Sequence, residues 1–548
     1  MSQKRLLLGD EAIALGAIHA GLSGVYAYPG TPSTEITEFI QNDATAKARG
    51  IHSRWCTNEK TAMEAALGMS YAGKRALVCM KHVGMNVCAD AFINSAITGV
   101  NGGLVVLAAD DPSMHSSQNE QDSRFYAKFA MIPCFEPSNQ QEAYDMMQKA
   151  FDFSEAIKEP VLLRIVTRLA HSRAAVEVRE ARAENPMQPS TDQWVLLPGI
   201  AKKKYASLID KQPLMLKASE EATTSLPQPS QREGAQKLGI VACGIAYNYV
   251  MEALSRASVS KVSPFGGKGA SGASVLKVSQ YPLPQKQLRQ LATECDELLV
   301  VEDGQPVVEE GVRRIIGDAA RVRGKYTGDL PRQGELTPDA VAKALGVELP
   351  EGFAPATNLA GRPPQLCQGC GHRDVYGALV RIIEEFPDAR VFGDIGCYTL
   401  GALPPFKALS SCVDMGASIT MAKGAADAGL RPAIAVIGDS TFTHSGMTGL
   451  LDAINENAPI TVIISDNLTT GMTGGQDSAG TNKFEAICLG LGMDPEHLHV
   501  VTPLPKNIPA IAELIRKELA YEGVSVIIPR RECIQTFARH SREKKQQQ

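Results

Sequence analysis

Two short polar triplets each close an apolar run near the C-terminal end of the chain: Gly438-Asp439-Ser440 follows Ala433 to Ile437, and Ser465-Asp466-Asn467 follows Ile460 to Ile464. The Asp439 carboxylate and the Asn467 amide carbonyl are hard oxygen donors, the kind that hold Mg2+ against the phosphates of a ligand. Gly438 lets the backbone come close to such phosphates. The two apolar runs read as buried parallel strands, and between them Met447, Leu450, Leu451 and Ile454 recur at i, i+3, i+4, i+7. The segment therefore predicts strand, helix, strand. Both triplets then fall at the carboxyl ends of neighbouring strands, where open α/β sheets take ligands. Either triplet alone reads as a turn. Together, in register around one helix and 29 positions apart from Gly438 to Asn467, they carry the spacing of a thiamine diphosphate and Mg2+ site.

Cysteines add a second chemistry. Cys367-Gln368-Gly369-Cys370 is a C-x-x-C just ahead of a predicted helix, Cys397 follows in Asp394-Ile395-Gly396-Cys397, and Cys533 lies past the strand-like run Val524 to Pro529. Four thiolates suit zinc or an iron–sulfur cluster about equally by composition. Sharing a domain with the diphosphate site favours the cluster, which accepts electrons where redox-inert zinc adds only stiffness; structural zinc or plain packing stays open. The other eight cysteines fall mostly in apolar runs or on helix faces and read as buried hydrophobes. Thiamine catalysis also needs a carboxylate that hydrogen-bonds the aminopyrimidine ring, so that its imino tautomer can deprotonate C2 of the thiazolium. Glu59 is the candidate. It opens a helix whose Ala62, Ala65, Ala66 and Met69 form a narrow face of small residues, although a first-turn glutamate is by itself only a favourable charge.

These residues need large scaffolds to position them. At 548 residues the chain exceeds one core, and three domains are expected. Apolar runs such as Leu77 to Met80 and Leu104 to Ala108 alternate with helical patterns, predicting an α/β domain over 1–185. A linker with at most one helix is expected over 186–235, rich in Lys202 to Lys204 and in Pro and Ser. A second α/β domain follows over 236–350, a third over 360–535, and a frayed tail over 536–548. Gly267-Lys268-Gly269-Ala270-Ser271-Gly272 fits G-x-G-x-x-G, but it leads into strand-like Val275 to Val278 instead of a helix and reads as a flexible loop. The balance of 55 basic and 60 acidic residues, without a basic stripe interleaved with aromatics, argues against nucleic acid. Asp10 and Glu11 interrupt the N-terminal apolar run, which is therefore neither signal peptide nor membrane span. A cytoplasmic location with reduced thiols is the expectation.

The combined motifs resemble the 2-oxoacid:ferredoxin oxidoreductase family, in particular the large subunits of its indolepyruvate branch. Nearly the whole chain takes part. The resemblance rests on Tyr28 to Ser33, Asn58-Glu59-Lys60, Met80 to Asn86, Asp110 to Pro112 with Ser116 to Arg124, Tyr281 to Pro284, the cysteine pair, Gly393 to Cys397 and Gly438 to Gly446. It implies two thiamine diphosphate-binding-type parallel-sheet folds flanking a transketolase C-terminal-like domain. It also implies Glu59 as pyrimidine activator, and one [4Fe-4S] cluster on Cys367, Cys370, Cys397 and Cys533. The backbone carbonyl of Thr469 would join Asp439 and Asn467 on Mg2+. Ile395, Tyr398, Met415 and Gly416 would line the cofactor, as would Gly438, Ser440 and Gly471. Thr31, the Lys81-His82 segment and His444 are the expected substrate contacts. Implied partners are a small (beta) subunit, in a heterotetramer of two large and two small chains, coenzyme A, and ferredoxin or another one-electron acceptor. Members of this branch often carry a C-terminal ferredoxin-like segment with two further cluster motifs. None follows Cys533 in this sequence, so a single cluster would meet the partner subunit or an external acceptor directly.

The expected reaction is oxidative decarboxylation of an aryl 2-oxoacid to an acyl-coenzyme A. A non-oxidative thiamine decarboxylase would use Glu59, Asp439 and Asn467 identically and leave the cysteines structural; a non-catalytic scaffold would not bind the cofactor. Glu59→Gln is expected to keep cofactor binding largely intact while lowering turnover by roughly 10²- to 10⁴-fold. Steady-state kinetics check this, and unchanged turnover would remove Glu59 from the mechanism.

Overall fold

A computed structural model describes residues 3–188, 194–225, 238–259, 273–349, 352, 354, 356–361 and 363–547. The chain divides into two compact units, 1–354 and 355–548. Both are α/β, and no described helix is long and apolar enough to cross a membrane.

The first unit holds two principal sheets. The larger has seven strands in the order Gln280–Tyr281, Cys134–Phe135, Val161–Val166, Leu104–Asp110, Ala76–Lys81, Gly24–Ala27, His52–Trp55. All neighbours are parallel except the edge strand Gln280–Tyr281, which runs antiparallel to Cys134–Phe135. Its central strands are buried at every position, which is why they read as unbroken apolar runs without alternation. The second sheet is built on the parallel strands Arg321–Arg323, Glu297–Val301, Leu238–Cys243 and Ala273–Val278, with Thr224–Ser225 added antiparallel at one edge.

A buried ionic network ties the two sheets of this unit. Arg164, wholly buried on strand Val161–Val166, donates to Asp110 at 2.6 Å and to Glu136 at 2.5 Å. Arg124 donates to Asp122 and to the carbonyls of Asp303 and Gln305, and its guanidinium lies 3.0 Å from Glu302. The Tyr281 hydroxyl donates to Glu136 at 2.5 Å. Asp122 and Arg124, from the 116–124 segment, are thus structural groups whose charges are paired inside the protein, which offsets the cost of burying them.

The second unit is one six-stranded parallel sheet in the order Ser411–Cys412, Arg390–Gly393, Ala433–Gly438, Ile460–Ser465, Ser525–Pro529, Leu498–Val501. Helices Gly371–Glu385 and Ile508–Leu519 bring Val375, Leu379, Ile511 and Ile515 into one apolar core, and Ala417–Asp427 and Met447–Asn455 bring Ile419, Ala422 and Leu450 into another.

Two expectations differ from the fold. The 186–235 stretch carries two helices, Pro198–Asp210 and Gln212–Ala222, where at most one was expected. Each buries few side chains, chiefly Leu208 and Met215, so the lysine-rich exposed faces hide the helical period. Gln212 donates to the Met131 carbonyl and Ser219 to that of Pro282. The tail is the other case: Ile534–Gln547 is helical, fastened by Arg539, whose guanidinium donates to the carbonyls of Gly474 and Gly475. The G-x-G-x-x-G match at 267–272 lies outside the described residues.

Met215→Ala is expected to cost about 2–5 kcal/mol, the usual loss for a buried methionine, and to expose 194–225 to protease sooner than the sheets. Limited proteolysis checks this; cleavage at the parent's rate would mean that this contact does not hold the helices.

Candidate active site

Strand pairing sets the geometry of the second unit. Ala433–Gly438 and Ile460–Ser465 are parallel neighbours in the register Gly438↔Ser465, so both triplets leave the sheet at one level. Asp439 is buried and accepts from the Ser440 N–H at 2.7 Å and the Thr469 N–H at 3.0 Å. The same Thr469 N–H lies 3.2 Å from Asn467 Oδ1. One amide proton thus draws together the two oxygens expected on the metal. The chain reaches this position through Leu468, whose φ of 62° lies in the left-handed region, a cost that non-glycine residues bear mainly at functional sites.

The charges here are unbalanced. Asp466 is neutralised by Arg530, 2.5 Å away, which also pairs with Glu485. Among the described residues no cation pairs with Asp439 in this way. Burial first, and then the nearby Asp466 carboxylate, push its carboxyl up to about 8. All-oxygen donors around an under-compensated buried carboxylate fit a hard divalent cation.

The surrounding residues form a cradle. A Cβ on Gly438 would come within 2.6 Å of the Tyr398 ring, and one on Gly416, which has φ +94°, within 2.6 Å of the Ser445 side chain. Tyr398 donates its hydroxyl to Asp394, whose other oxygen accepts from the Ser418 N–H and hydroxyl at the start of helix Ala417–Asp427. Thr441 donates to the Ile395 carbonyl at 3.0 Å, and Ser440 meets Thr470 at 3.0 Å. Met415 precedes Gly416 and is half-buried. His444 is buried in a π-helical turn, Phe442–Gly446, with Nδ1 2.7 Å from the Ser445 hydroxyl.

Cys367, Cys370, Cys397 and Cys533 line one depression together with Asn467 and Gly471. A Cβ on Gly471 would lie 3.5 Å from Asn467 Nδ2, 3.5 Å from Cys397 Sγ and 4.0 Å from Cys533 Sγ. Cys533 is fixed by its N–H, which donates to the Asn467 carbonyl at 3.0 Å. Among the described residues the one set of three ligand atoms mutually within 4.8 Å lies elsewhere, so no three of these four sulfurs meet that spacing. Burial and the neighbouring cysteines push the Cys397 thiol up to about 12. His372 was missed in the sequence: it lines the depression, is buried, has neither ring nitrogen hydrogen-bonded, and is pushed down to about 4 by burial. Its place two residues after Cys370 was the available signal.

In the first unit Glu59 opens helix Glu59–Tyr71, and Asn58 caps that helix by accepting from the Thr61 N–H at 2.8 Å. Glu59 is buried. Gly84, in the first turn of helix His82–Thr98, makes room for it: a Cβ there would lie 2.7 Å from Glu59 Cγ and 2.9 Å from Oε1. Thr31 sits in the Gly30–Ser33 turn, its carbonyl 3.5 Å from the Ser116 hydroxyl. Lys81 donates to the Ser116 carbonyl at 2.5 Å and is pulled down to about 8 by burial. His82 Nε2 lies 3.1 Å from Asn119 Oδ1.

Both units thus carry parallel α/β sheets of the thiamine diphosphate-dependent class, and comparison with known proteins agrees. Residues 15–222 match the family described as pyruvate flavodoxin/ferredoxin oxidoreductase, thiamine diphosphate-binding. Residues 229–365 match the indolepyruvate oxidoreductase domain, and 394–527 the C-terminal thiamine pyrophosphate-binding domain of thiamine pyrophosphate enzymes. The chain is 39% identical to the indolepyruvate oxidoreductase subunit IorA of Archaeoglobus fulgidus over 98% of its own length and 88% of that protein's. The corresponding values for the Pyrococcus horikoshii subunit are 37%, 97% and 86%. A solved 2-oxoglutarate:ferredoxin oxidoreductase from Magnetococcus marinus shares the fold at TM-score 0.51 and 16% identity, over 63% of this chain and 65% of that one. The chain belongs to the indolepyruvate oxidoreductase alpha-subunit family, within the thiamine diphosphate-dependent 2-oxoacid:ferredoxin oxidoreductases.

A pH dependence follows from Asp439. An unfolded aspartate ionises near 3.8, whereas this one holds its proton to about 8. Without a cation its contribution to stability therefore falls as pH rises from about 4 to about 8, then levels off. Asp439→Asn is expected to melt at least ~2 °C above the metal-free parent at pH 8 and to lose Mg2+-dependent cofactor binding. Calorimetry with and without Mg2+ and thiamine diphosphate checks both; a variant that still binds the cofactor in an Mg2+-dependent way would exclude Asp439 as a ligand.

Proposed function

We propose that this chain is the large subunit of an enzyme that oxidatively decarboxylates an aryl 2-oxoacid of the indolepyruvate type. The acyl group goes to coenzyme A, and single electrons pass through one [4Fe-4S] cluster to ferredoxin or a comparable acceptor. The partner is a small beta subunit, in a heterotetramer of two large and two small chains, and the location is cytoplasmic. When bound, thiamine diphosphate supplies the thiazolium that accepts the electron pair left by CO2.

The chain's own residues do the rest. Asp439, Asn467 and the Thr469 carbonyl hold Mg2+, while the backbone at Gly438, with Ser440 and Gly471, receives the diphosphate. Ile395, Tyr398, Met415 and Gly416 line the cofactor, and Tyr398 is oriented through its hydrogen bond to Asp394. Glu59, held at its helix start and given space by Gly84, moves the proton at the aminopyrimidine. Thr31 and Lys81-His82 meet the substrate carboxylate, and His444 faces the reacting carbon.

One observation carries the redox part of this reading: Cys397, Cys533 and Asn467 all converge on Gly471. Gly471 would thus lie beside both the cysteines that would hold a cluster and the Asn467 that would hold Mg2+. The four cysteines share one depression with Asn467, which supports a redox group beside the residues assigned to Mg2+.

The test is anaerobic viologen reduction by the chain co-expressed with its small partner, given indolepyruvate, thiamine diphosphate, Mg2+ and coenzyme A. Reduction that needs both the oxoacid and coenzyme A supports the proposal. Release of CO2 and an aldehyde without dye reduction moves the protein to the non-oxidative decarboxylases. Cys397→Ser is expected to lose most of its iron and at least ~10²-fold of dye reduction while still binding thiamine diphosphate; iron and sulfide analysis beside the kinetics checks it, and full dye reduction without iron would sink the cluster's role.

A further inference from the structure

Away from these residues, three ligand-type side chains of the first unit meet. Asp10, Glu35 and His171 each offer one atom, and the three atoms lie within 4.8 Å of one another. They come from three helices, Gly9–His19, Thr34–Asn42 and Thr167–His171. The fold brings two of these together by close backbone approach. The Gly9 N–H donates to the Ser172 carbonyl, and a Cβ on Gly9 would lie 2.1 Å from the Leu169 carbonyl oxygen. Only glycine permits that approach, which delivers Asp10 to the neighbourhood of His171.

The second observation is independent of this clustering. Asp10 is wholly buried, and among the described residues no amide, hydroxyl or cationic donor reaches its carboxylate oxygens; only the Glu35 carboxyl stands beside it. Glu35 Oε2, also buried, has no such donor either. His171 Nε2 stands 3.6 Å from Glu35 Oε1, and the His171 side chain is partly open to solvent. A carboxylate so deep, without such a donor, calls for a positive charge. Burial and the adjacent Glu35 drive the Asp10 carboxyl well above its ordinary range, while Glu35 raises His171.

We propose that Asp10, Glu35 and His171 bind one divalent transition cation of the zinc class, with water completing the shell on the solvent side of His171. Two carboxylates and one imidazole suit Zn2+, Mn2+ or Fe2+; Mg2+ and Ca2+ favour all-oxygen shells. The cation would take one oxygen from each carboxylate and one imidazole nitrogen, and so clamp three helices. One of these follows directly from the Gly30–Ser33 turn, so occupancy would brace the residues around Thr31. The competing account is a single proton shared between Asp10 and Glu35, which needs no metal.

The experiment uses the complex with its small partner, loaded with cofactor and iron so that the thiols are occupied, then exposed to Zn2+ and freed of excess. Zinc, iron and thiamine are measured together. The expected result is about one zinc per large chain, a Zn2+-dependent rise in Tm, and loss of both in Asp10→Asn at unchanged iron and thiamine. Asparagine is isosteric and can donate to Glu35. Should Asp10→Asn fail to fold, His171→Gln at the partly exposed position reads the same loss. Parent protein that takes up no zinc and whose iron content Asp10→Asn leaves unchanged, or zinc retained in the folded variants, would overturn the proposal and leave the shared proton.

Discussion

The Asp439 carboxylate lies inside the protein, beside a second buried carboxylate, and a single parallel register fixes both. Asp466 spends its charge on Arg530, so Asp439 is left under-compensated at the mouth of the sheet. Everything nearby is arranged around that group. The Thr469 N–H joins it to Asn467, Leu468 accepts a left-handed backbone to deliver that N–H, and Gly438 stays bare so that the Tyr398 ring can lie against the strand end. The local destabilisation is the reverse side of cation affinity, because the free energy that a bare buried carboxylate costs is recovered when a metal binds.

Much of this was legible in the sequence because parallel strands buried on both faces leave an unmistakable pattern. Ala433 to Ile437 and Ile460 to Ile464 have no alternation to confuse with a solvated sheet, and the intervening helix shows its period clearly. Strand ends follow from run ends, so the positions of Asp439 and Asn467 could be read directly. The linker helices were less readable for the opposite reason: with Leu208 and Met215 as their main anchors, the period is carried by too few residues. The tail escaped because its fastening, Arg539 onto the carbonyls of Gly474 and Gly475, is a long-range contact that no local window contains.

Glycine roles divided in the same way. Gly438 was recognisable from its position at a strand end. Gly84 appeared only as a letter in a motif, and its reason emerges from the side chain it faces, Glu59. Gly9 is similar: its missing Cβ matters because the Leu169 carbonyl passes over it. Close packing between distant segments is not encoded in the spacing of either one.

Buried charge distinguishes the structural from the chemical parts of this molecule. The Asp110, Asp122, Glu136 and Glu302 carboxylates of the first unit are answered by Arg124 and Arg164, and the network's partners lie on elements of both sheets. Removing one member would strand another, which is the signature of a structural clasp. Among the described residues no guanidinium pairs with Asp439 or Asp10, and the group beside Asp10 is a second carboxyl, Glu35. Where the fold supplies arginines the charge holds the protein together. Where it withholds them, the group stays ready for a proton or a cation, and the difference can be read residue by residue.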